Sequence, residues 1–432
     1  MKVPSVKGFH DVLPGASGRW SALEATARRV FDQYNFDEIR IPIVERAELF
    51  RRSVGETSDI VEKEMYAFED RDGTPLTLRP EGTASVVRAY VEHAMHAAEP
   101  VAKLYYFGPM FRRERPQKGR LRQFSQIGAE LIGRDDPAAD AEVLLLLYDL
   151  LRDLGVEGAE VQINSLGDRT CRPAYRDALV AWGRAHAGEL CADCQRRLDQ
   201  NPLRLLDCKQ PGCAAIRDTA PRMVEHYCDA CRAHFERVLE LLEAHGVRPR
   251  LQPYMVRGLD YYCRTAFEVV AQGLGAQNAL GGGGRYDGLV KDLGGPDIAG
   301  VGFALGVERL AIVLGGEQDA ALPPEFVVAP LGAVAEVAAM RLAHRLRRAG
   351  VRVDVEPGGR SLKSQMRHAG KLGARYVVLL GEDELASGRM TVRDMAERRD
   401  LRQVAALDGS AEELRAALAE AGGAATEMER HA

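Results

Sequence analysis

The stretch FRRERPQKGRLRQFSQIGAE, Phe111 to Glu130, decides the fold. Its flanks, Lys103–Arg113 and Arg122–Ile132, are rich in aromatic and β-preferring residues, and RPQKG between them carries the Pro and Gly of a turn. The pattern predicts a long antiparallel hairpin. Its tip is basic, with six Lys or Arg within twelve residues against Glu114 alone. A charge density of this kind favours an anionic partner.

The chain has 432 residues, a net charge of -5, and 46% hydrophobic and 28% charged residues. This length suggests roughly two to four domains of about 150 residues, and the composition is ordinary for a globular protein. The N-terminus has no apolar signal region, and the longest apolar run, Val143–Tyr148, is far shorter than the roughly 18 residues of a membrane span. We therefore expect a cytoplasmic protein with reduced thiols and no membrane partner.

Helical and strand patterns alternate irregularly around the hairpin. Trp20–Tyr34 has helical spacing, and Phe36–Glu45 alternates like a strand that Pro42 restricts to an edge or a chain interface. Residues 171–244 are mostly helical and Cys-rich, which predicts an insertion. The composition of residues 317–325 is typical of a linker, and strands and helices alternate beyond it, as in a largely parallel sheet. The predicted domains are 1–325 and 326–432.

One face of the second hairpin strand is polar. Gln126, Gly128 and Glu130 alternate along it, so the missing side chain at Gly128 predicts a small pocket between two polar groups. Arg112 on the opposing strand is a guanidinium suited to a phosphate or carboxylate. A solvated edge hairpin with cross-strand salt bridges is the alternative.

A second candidate site surrounds Arg309. This residue falls in the first turn of a helix, where the macrodipole disfavours a cation by about 0.3 to 1 kcal/mol, and a bound anion would reverse that sign. The run Gly281–Gly284 offers a strand without side chains, against which a planar ring could lie. The run lacks the GK[ST] of a phosphate-binding P-loop.

A third group lies in RGLDYY, where Arg257, Asp260, Tyr261 and Tyr262 stand beside Gly258. Paired tyrosines are commonly packing residues, but an adjacent Arg and Asp favour a ligand site.

The cysteines form a fourth group. Cys191-x-x-Cys194 and Cys228-x-x-Cys231 predict one structural zinc site, because each motif presents two thiolates to a tetrahedral ion. Cys208 and Cys213 compete for the same places. The alternative is a helical insertion whose small buried residues happen to be Cys. Cys171 and Cys263 have no assigned role.

These residues resemble the three motifs of a class II aminoacyl-tRNA synthetase. FDEIRIPIVERAELF is similar to motif 1, LYYFGPMFRRERPQKGRLRQFSQIGAE to motif 2 and GVGFALGVERL to motif 3. PEGT and RGLDYY resemble the histidine-binding segments of the histidyl-tRNA synthetase family. The resemblance covers essentially the whole chain.

The resemblance implies an α+β fold, with a class II antiparallel sheet flanked by helices, a helical insertion and a C-terminal α/β anticodon-binding domain. It implies ATP-dependent attachment of L-histidine to tRNA(His) through a histidyl-adenylate, with ATP and Mg²⁺ as substrate and a homodimer formed through motif 1. In the C-terminal domain, Arg341–Arg375 holds ten Lys or Arg against two acids, which fits an RNA-facing surface.

The resemblance also implies roles for individual residues. Arg112 and Arg257 would handle the α-phosphate and the histidine carboxylate, and Arg309 would hold ATP. The implied histidine-binding residues are Glu81, Thr83, Gln126, Glu130, Tyr261, Tyr262 and Tyr286. The implied contacts to the tRNA acceptor end are Arg115, Gln117, Lys118 and Arg120. A buried Glu facing an imidazole N–H rejects amino acids that lack this donor, so no editing activity is expected.

The alternative from another class is a catalytically inert relative that senses histidine as the regulatory subunit of ATP phosphoribosyltransferase. Such chains typically lack the C-terminal domain and disrupt the motif residues, whereas both are present in this sequence. An RNA-binding protein without catalysis would not need Glu81, Gln126 and Glu130 in one polar pocket.

Overall fold

The computed structural model describes residues 3–55, 58–274, 278–315, 323–401 and 405–417. The chain divides into two compact units, residues 1–318 and 319–432. Most of the linker predicted at residues 317–325 lies outside the described residues.

The first unit contains two sheets. Its strands are β1 (Asp37–Glu38), β2 (Val44–Arg46), β3 (Tyr66–Glu69), β4 (Pro75–Leu78), β5 (Ala102–Phe111), β6 (Gln123–Ile132), β7 (Glu160–Ser165), β8 (Arg250–Leu251), β9 (Cys263–Val270), β10 (Ala279–Arg285) and β11 (Gly300–Gly306). The large sheet has the order β1-β5-β6-β11-β10-β9-β7-β8, and the small one β2-β4-β3. The large sheet is antiparallel from β5 to β7, with β1 and β8 added in parallel at its edges.

Helices flank this sheet and form most of the insertion. They are α1 (Ala16–Gln33), α2 (Ala47–Val54), α3 (Thr83–Glu92), α4 (Met95–Ala98), α5 (Pro137–Asp153), α6 (Arg172–Ala185), α7 (Ala192–Gln200), α8 (Pro211–Ile216), α9 (Asp229–Ala244), α10 (Leu289–Asp292) and α11 (Val307–Leu314). A π-helix spans Ile60–Glu64, and 3₁₀ helices span Pro202–Leu205, Arg217–Thr219 and Met223–His226. The helical insertion predicted at residues 171–244 thus corresponds to α6–α9.

The hairpin at the centre of the sheet matches the sequence prediction closely. β5 and β6 pair without a register shift from Ala102↔Ile132 to Phe111↔Gln123. Alternation places Ile127, Ala129 and Leu131 of β6 in the main hydrophobic core under α1, α5 and α9. The polar residues between them therefore face the other side of the sheet.

The strand predicted at Phe36–Glu45 is interrupted. β1 covers only Asp37–Glu38 and β2 starts at Val44. Between them the buried Arg79 donates from Nη1 to the carbonyl oxygens of Ile41 and Pro42, the latter at 3.1 Å. Proline removes a ladder donor here, and an arginine side chain binds the backbone in place of a neighbouring strand.

The second unit is an α/β layer with its own core. Its strands are β12 (Phe326–Pro330), β13 (Val353–Val355), β14 (Tyr376–Leu380), β15 (Thr391–Asp394) and β16 (Arg399–Leu401), and its helices are α12 (Glu336–Arg348), α13 (Leu362–Leu372) and α14 (Glu382–Ser387), with a 3₁₀ helix at Ala333–Ala335. The order is β13-β12-β14-β15-β16. The first three strands are parallel, as predicted, whereas β15 and β16 add in antiparallel orientation.

Among the described residues, none of the helices is both long and apolar enough to cross a membrane.

Candidate active site

A cavity of about 210 Å³ lies on the polar face of the large sheet. Its lining includes these polar, charged and aromatic side chains: Glu81, Thr83, Arg112, Glu114, Arg120, Phe124, Gln126, Arg257, Tyr261, Tyr262, Glu268, Glu308 and Arg309. All three arginines predicted for the substrates therefore border one space. Glu130 and Tyr286 do not line the cavity. Glu130 accepts a hydrogen bond from the lining residue Thr83, and Tyr286 donates a hydrogen bond to Glu130.

Glu130 is fully buried at the centre of the predicted histidine site. Its Oε1 accepts from Thr83 Oγ1 at 2.6 Å and its Oε2 accepts from the Tyr286 hydroxyl at 2.8 Å. Burial raises the pKa of Glu130 to about 8, although both hydrogen bonds act in the opposite direction. The carboxyl group is therefore held by two neutral donors and can exchange a proton near neutral pH.

The glycines of β11 make room for this group. A Cβ on Gly302 would lie 1.9 Å from Glu130 Oε2, and one on Gly300 would lie 2.3 Å from the Tyr286 ring. Because β11 alternates, Val301, Phe303 and Leu305 fill the core while the small residues face the site.

The space expected beside Gly128 is already filled. Tyr106 is paired with Gly128 across the hairpin, and a Cβ on Gly128 would lie 2.3 Å from its ring. A Cβ on Gly82 would meet the same ring at 2.3 Å. The prediction of an empty pocket at Gly128 is thus wrong, since the glycine accommodates a neighbouring aromatic ring.

Tyr106 is a neighbour of the site that the sequence interpretation missed, and its fully buried ring packs against Gly82 and Gly128 behind the cavity lining. Its hydroxyl is buried without a hydrogen-bond partner among the described residues, and burial raises its pKa well above the ordinary value, with Glu130 and Glu81 adding to the shift. An unpaired buried hydroxyl costs about 1–3 kcal/mol, so it has the chemistry of a ligand contact. The hairpin register, which pairs Tyr106 with Gly128, would have identified it.

Glu81 caps the helix that carries Thr83. Its carboxylate accepts from the backbone N–H of Thr83 at 2.7 Å and of Ala84 at 2.8 Å, in the first turn of α3. The Tyr261 hydroxyl lies 3.5 Å from Glu81 Oε2. Burial raises the pKa of Glu81. PEGT therefore works as a rigid corner that fixes the Thr83 hydroxyl against Glu130.

Arg257 is paired with a second acid that the sequence interpretation did not single out. Its Nη1 donates to Glu268 Oε1 at 2.8 Å, and its guanidinium lies 5.8 Å from the Tyr262 ring centroid. Its Nε is buried without a partner in the described part of the chain. Burial lowers the pKa of Arg257, but Glu268 outweighs this effect and the net pKa is raised. The group is thus a fixed cation with donor capacity to spare.

The glycine run explains how Arg257 reaches the sheet. A Cβ on Gly282 would lie 2.9 Å from Arg257 Nη2, so the guanidinium occupies the surface that a side chain would cover. Gly281 and Gly283 face the other way, where a Cβ would lie 2.1 Å from Ala304 O and 2.0 Å from Gly302 O. Gly281 and Gly282 nevertheless line the cavity beside Arg257, so the binding of a planar ring against this strand stays a prediction.

Arg309 and Arg112 complete the cationic wall. Arg309 donates from Nε to Gly119 O at 2.9 Å and from Nη1 to Ala279 O, and burial lowers its pKa. Arg112 donates from Nε to Pro80 O at 2.9 Å and lies 5.3 Å from the Phe124 ring centroid. Arg309, which was expected to need a bound anion, is thus held by backbone carbonyls. These neutral acceptors leave its positive charge unneutralised.

Glu308 is a further missed group. Both of its carboxylate oxygens accept from the backbone N–H of Ser125, at 2.8 and 3.0 Å, which joins α11 to β6. Burial raises the pKa of Glu308 to about 7. The motif GVERL drew attention only to its neighbour Arg309. An acidic residue in the first turn of a helix is itself stabilised by the helix dipole.

The basic hairpin tip divides into two groups. Arg120 turns inward and pairs with Glu114, which lines the cavity. Arg115, Gln117 and Lys118 are exposed, and Lys118 Nζ donates to Gly273 O at 3.0 Å. The side chain of Arg120 is 32% exposed and its Nε is buried, whereas the other three side chains lie on the surface.

The cysteines of the insertion fall into two clusters. One contains Cys191, Cys194, Cys208 and Cys213, and the other Asp168, Cys171, Cys228 and Cys231. The ligand atoms within each cluster all lie within 4.8 Å of one another. The structure does not bring the two CxxC motifs together, so the single site expected from them is replaced by two separate groups. Cys171, which had no assigned role, belongs to one of them.

The comparisons with known proteins agree with this geometry. A family model described as histidyl-tRNA synthetase matches residues 8–310, and one described as an anticodon binding domain matches residues 325–422. The chain belongs to the histidyl-tRNA synthetase family. The fold class expected from the sequence, an antiparallel class II sheet with a C-terminal anticodon-binding domain, is confirmed.

Relatives in this family cover nearly the whole chain. The histidine–tRNA ligase of Trichlorobacter lovleyi is 54% identical over 92% of this chain and 94% of its own length, and that of Syntrophotalea carbinolica is 52% identical over 91% and 94%. The crystal structure of apo histidyl-tRNA synthetase from S. aureus has a TM-score of 0.77 at 37% identity, covering 93% of this chain and 96% of its own.

Proposed function

We propose that this protein attaches L-histidine to tRNA(His) in two steps, through a histidyl-adenylate formed from ATP, and releases AMP and pyrophosphate. The observation that carries the proposal is the buried carboxyl group of Glu130, fixed by Thr83 and Tyr286 beside a cavity walled by arginines. An imidazole binding group and a polyphosphate binding group thus lie side by side. A histidine-activating enzyme needs this combination.

The imidazole would bind against Glu130. Each carboxylate oxygen accepts one hydroxyl and retains a further lone pair for an imidazole N–H. Tyr262 borders the cavity, with its pKa raised to about 12 by burial, and Tyr106 offers its unpaired hydroxyl. An amino acid without the N–H donor would leave a buried acid unpaired, which gives a rejection of roughly 10⁴-fold or more. We therefore propose that no editing activity is needed.

The amino-acid backbone would lie across the mouth of this pocket. Glu81 and Gln126 border it and would bind the α-amino group together with Thr83, and Tyr261 would support Glu81 through its hydroxyl. Gln126 Oε1 is buried without a partner among the described residues, so it has an acceptor available for an ammonium group.

Three arginines would handle the anions of the first step. The histidine carboxylate attacks the α-phosphorus of MgATP in line with the departing pyrophosphate, and charge develops on the phosphate oxygens. Arg112 and Arg257 would stabilise that charge, and Arg309 would bind ATP beside its adenine or γ-phosphate. Because they are held by carbonyl and carboxylate acceptors before substrate arrives, little reorganisation is needed. No protein nucleophile takes part.

Two surfaces would bind the tRNA. The exposed hairpin tip would contact the acceptor end through Arg115, Gln117 and Lys118. Arg120 would support this contact indirectly, through its ion pair with Glu114. In the second unit, exposed basic side chains on α12 and α13 would contribute to binding the anticodon region: Arg341, Arg348, Lys363, Arg367 and Lys371.

We also propose a homodimer formed through the segment between β1 and β2. A cavity of about 760 Å³ lies there, lined by Ile39, Ile41, Pro42, Val44 and Leu49 among others. Ile43 and Val44 are 44% and 42% exposed. A second copy would cover these apolar side chains, and sedimentation velocity on the purified chain would test the stoichiometry.

Histidine-dependent ATP–pyrophosphate exchange tests the activity. The wild-type chain should exchange only with histidine, and Arg257→Ala should abolish exchange, while Arg250→Ala, an exposed arginine paired with Glu160, serves as the matched control. Histidine binding without exchange would contradict the ligase and favour the inert histidine-sensing regulatory subunit. The motif arginines in the cavity and the C-terminal unit argue against that alternative.

A further inference from the structure

The two cysteine clusters have the dimensions of tetrahedral metal sites. A zinc–sulfur bond of about 2.3 Å gives a sulfur–sulfur edge of about 3.8 Å. The Sγ atoms of Cys191 and Cys208 lie 3.9 Å apart, and those of Cys171 and Cys231 lie 3.7 Å apart. All eight cysteines are free. Four ligand atoms that all lie within 4.8 Å of one another have the spacing needed to hold one small ion.

Asp168 supplies the fourth corner of the second cluster. Its Oδ1 lies 3.5 Å from the Sγ of Cys171 and 3.8 Å from that of Cys228. A carboxylate oxygen is a common zinc ligand with a shorter bond of about 2.0–2.2 Å, and it therefore sits slightly closer to its neighbours. The same carboxylate accepts from the backbone N–H of Thr170 at 2.9 Å, which fixes its orientation.

Four of the candidate ligands lie at the N-termini of two helices. Cys191 and Cys228 are the N-cap residues of α7 and α9, and Cys194 and Cys231 lie in the first turns of the same helices. The positive end of the helix dipole faces the sulfur atoms at this position and offsets part of the cost of ionising a buried thiol. Backbone N–H groups also point at sulfur, from Cys191 to Cys213 Sγ at 3.2 Å and from Asp168 to Cys171 Sγ at 3.3 Å. Such bonds commonly orient metal-bound thiolates.

The insertion has little hydrophobic core of its own. Apart from the α9 residues Phe235, Val238 and Leu242, which pack in the main core, its buried apolar residues form two small clusters, one around Tyr175, Leu179 and Met223 and one around Leu190, Leu198 and Leu205. Each small core contains one of the cysteine groups. Segments of this size with so few buried apolar residues are commonly stabilised by a metal ion, and each of the two cores contains one group of four candidate ligands.

We propose that the insertion binds two zinc ions, one through Cys191, Cys194, Cys208 and Cys213 and one through Asp168, Cys171, Cys228 and Cys231. Four thiolates, or three thiolates and a carboxylate, in tetrahedral arrangement suit zinc, and neither set leaves an open position for substrate. Both sites are structural. Buried members, Cys194 and Cys213 in the first and Cys171 and Cys231 in the second, shield the ions from solvent.

Both sites support the histidine-binding loop. Arg172, next to the ligand Cys171, donates from Nη1 to the carbonyl of Tyr262 at 3.0 Å. On the other side, Asn201 at the end of α7 donates to Asp260 at 3.0 Å, and Arg197 and Arg204 pair with Asp59 at 3.2 and 3.0 Å. Loss of zinc would thus loosen RGLDYY and weaken histidine binding. This consequence rests on the proposed function, whereas the zinc content does not.

Metal analysis of the full-length protein tests the proposal. Protein purified under reducing conditions, incubated with Zn²⁺ and freed of excess metal should contain two zinc ions per chain by plasma mass spectrometry. One ion or none would overturn the two-site assignment, and iron at two per chain would overturn the choice of zinc. Disulfides in the reduced preparation, detected by alkylation and mass spectrometry, would also contradict it.

Single variants assign the ligands. Cys194→Ser and Cys231→Ser should each retain one zinc ion, and the double variant none, while Cys263→Ser, outside both clusters, should retain two. Replacement of the bound zinc by Co²⁺ in the wild-type chain provides a second measurement, which does not depend on whether the variants fold. The cobalt spectrum should show tetrahedral bands with charge-transfer intensity from seven thiolates in total. Intensity from only four would eliminate the second site.

Chelator treatment separates the two parts of the inference. Removing zinc should raise the histidine Kd by at least about tenfold, and Zn²⁺ should restore it. If two zinc ions are present but histidine never binds, the metal sites stand and the proposed function fails. If zinc-free protein binds histidine normally, the support of the histidine loop is contradicted.

Discussion

Gly302 and Glu130 face each other as paired residues of β11 and β6, and a Cβ on Gly302 would lie 1.9 Å from Glu130 Oε2. The position of the buried carboxyl group therefore depends on a side chain that is absent. The glycine belongs to motif 3 and the acid to motif 2, so the two sequence motifs are joined at this contact.

Gly302→Ala should displace Glu130 without removing any functional group. A displacement of about 1 Å in a positioned group costs roughly 100-fold in rate, so we expect the kcat/KM for histidine in pyrophosphate exchange to fall by about that factor. Gly359→Ala, where an added Cβ meets nothing within 4 Å, is the matched control. Unchanged histidine kinetics in a folded Gly302→Ala protein would contradict this account of the pocket.

The pKa of Glu130 makes stability depend on pH. Burial raises it from 4.5 to about 8, so between these values the folded chain binds more protons than the unfolded chain. The stabilising contribution is complete below about pH 4.5 and is lost as the pH rises through about 8. Relative to Glu130→Gln, the wild-type free energy of unfolding should fall by up to about 1.4 kcal/mol per pH unit in this window. Urea unfolding at several pH values measures it, and parallel curves for the two proteins would disprove the shift.

The buried pair of Arg285 and Asp140 should be essential to stability. Both side chains are fully buried, and His234 of the insertion lies 3.4 Å from the same carboxylate. Asp140→Ala removes the fully buried partner of Arg285 and leaves only Asp287, 3.1 Å from Nη1, to compensate the cation, so it should cost about 3–5 kcal/mol in denaturant unfolding. Glu160→Ala, which breaks the largely exposed pair with Arg250, should cost less than about 1 kcal/mol. Similar losses in both variants would refute the distinction.

The two parts of the hairpin tip should separate by assay. Lys118→Ala should reduce tRNA charging and its salt dependence while leaving pyrophosphate exchange nearly intact, because Lys118 is exposed. Arg120→Ala should lower both activities, because it leaves Glu114 unpaired beside the arginines of the cavity. Charging and exchange measured on the same preparations decide this, and a purely tRNA-specific defect in Arg120→Ala would show that its inward position is not important.

The sequence predicted the parts of the molecule that depend on local pattern. The β5–β6 hairpin follows from alternation and turn residues, and the observed register pairs Phe111 with Gln123 at its end. The roles expected for Glu130 and Arg257 came from the family resemblance and stay predictions. The structure places Arg257 in the cavity wall and Glu130 behind it, against the lining residue Thr83.

The remainder depends on contacts between distant segments. Tyr106 could not be placed beside Gly128 before the register was known, and Glu268 becomes visible only as the partner of Arg257. The cysteines show the same limit. Spacing identified two CxxC motifs, but the ends of separate helices decide which other ligands join each pair.

The glycine strand β10 has a consequence for how variation in this protein should be read. At Gly281, Gly282, Gly283 and Gly284 an added Cβ would lie between 2.0 and 2.6 Å from a carbonyl oxygen of a neighbouring strand. A saturation mutagenesis map should therefore show one of its least tolerant segments where no side chain performs chemistry. Intolerance there would report interstrand spacing, and it would be mistaken for catalysis if substitutions were scored by activity alone.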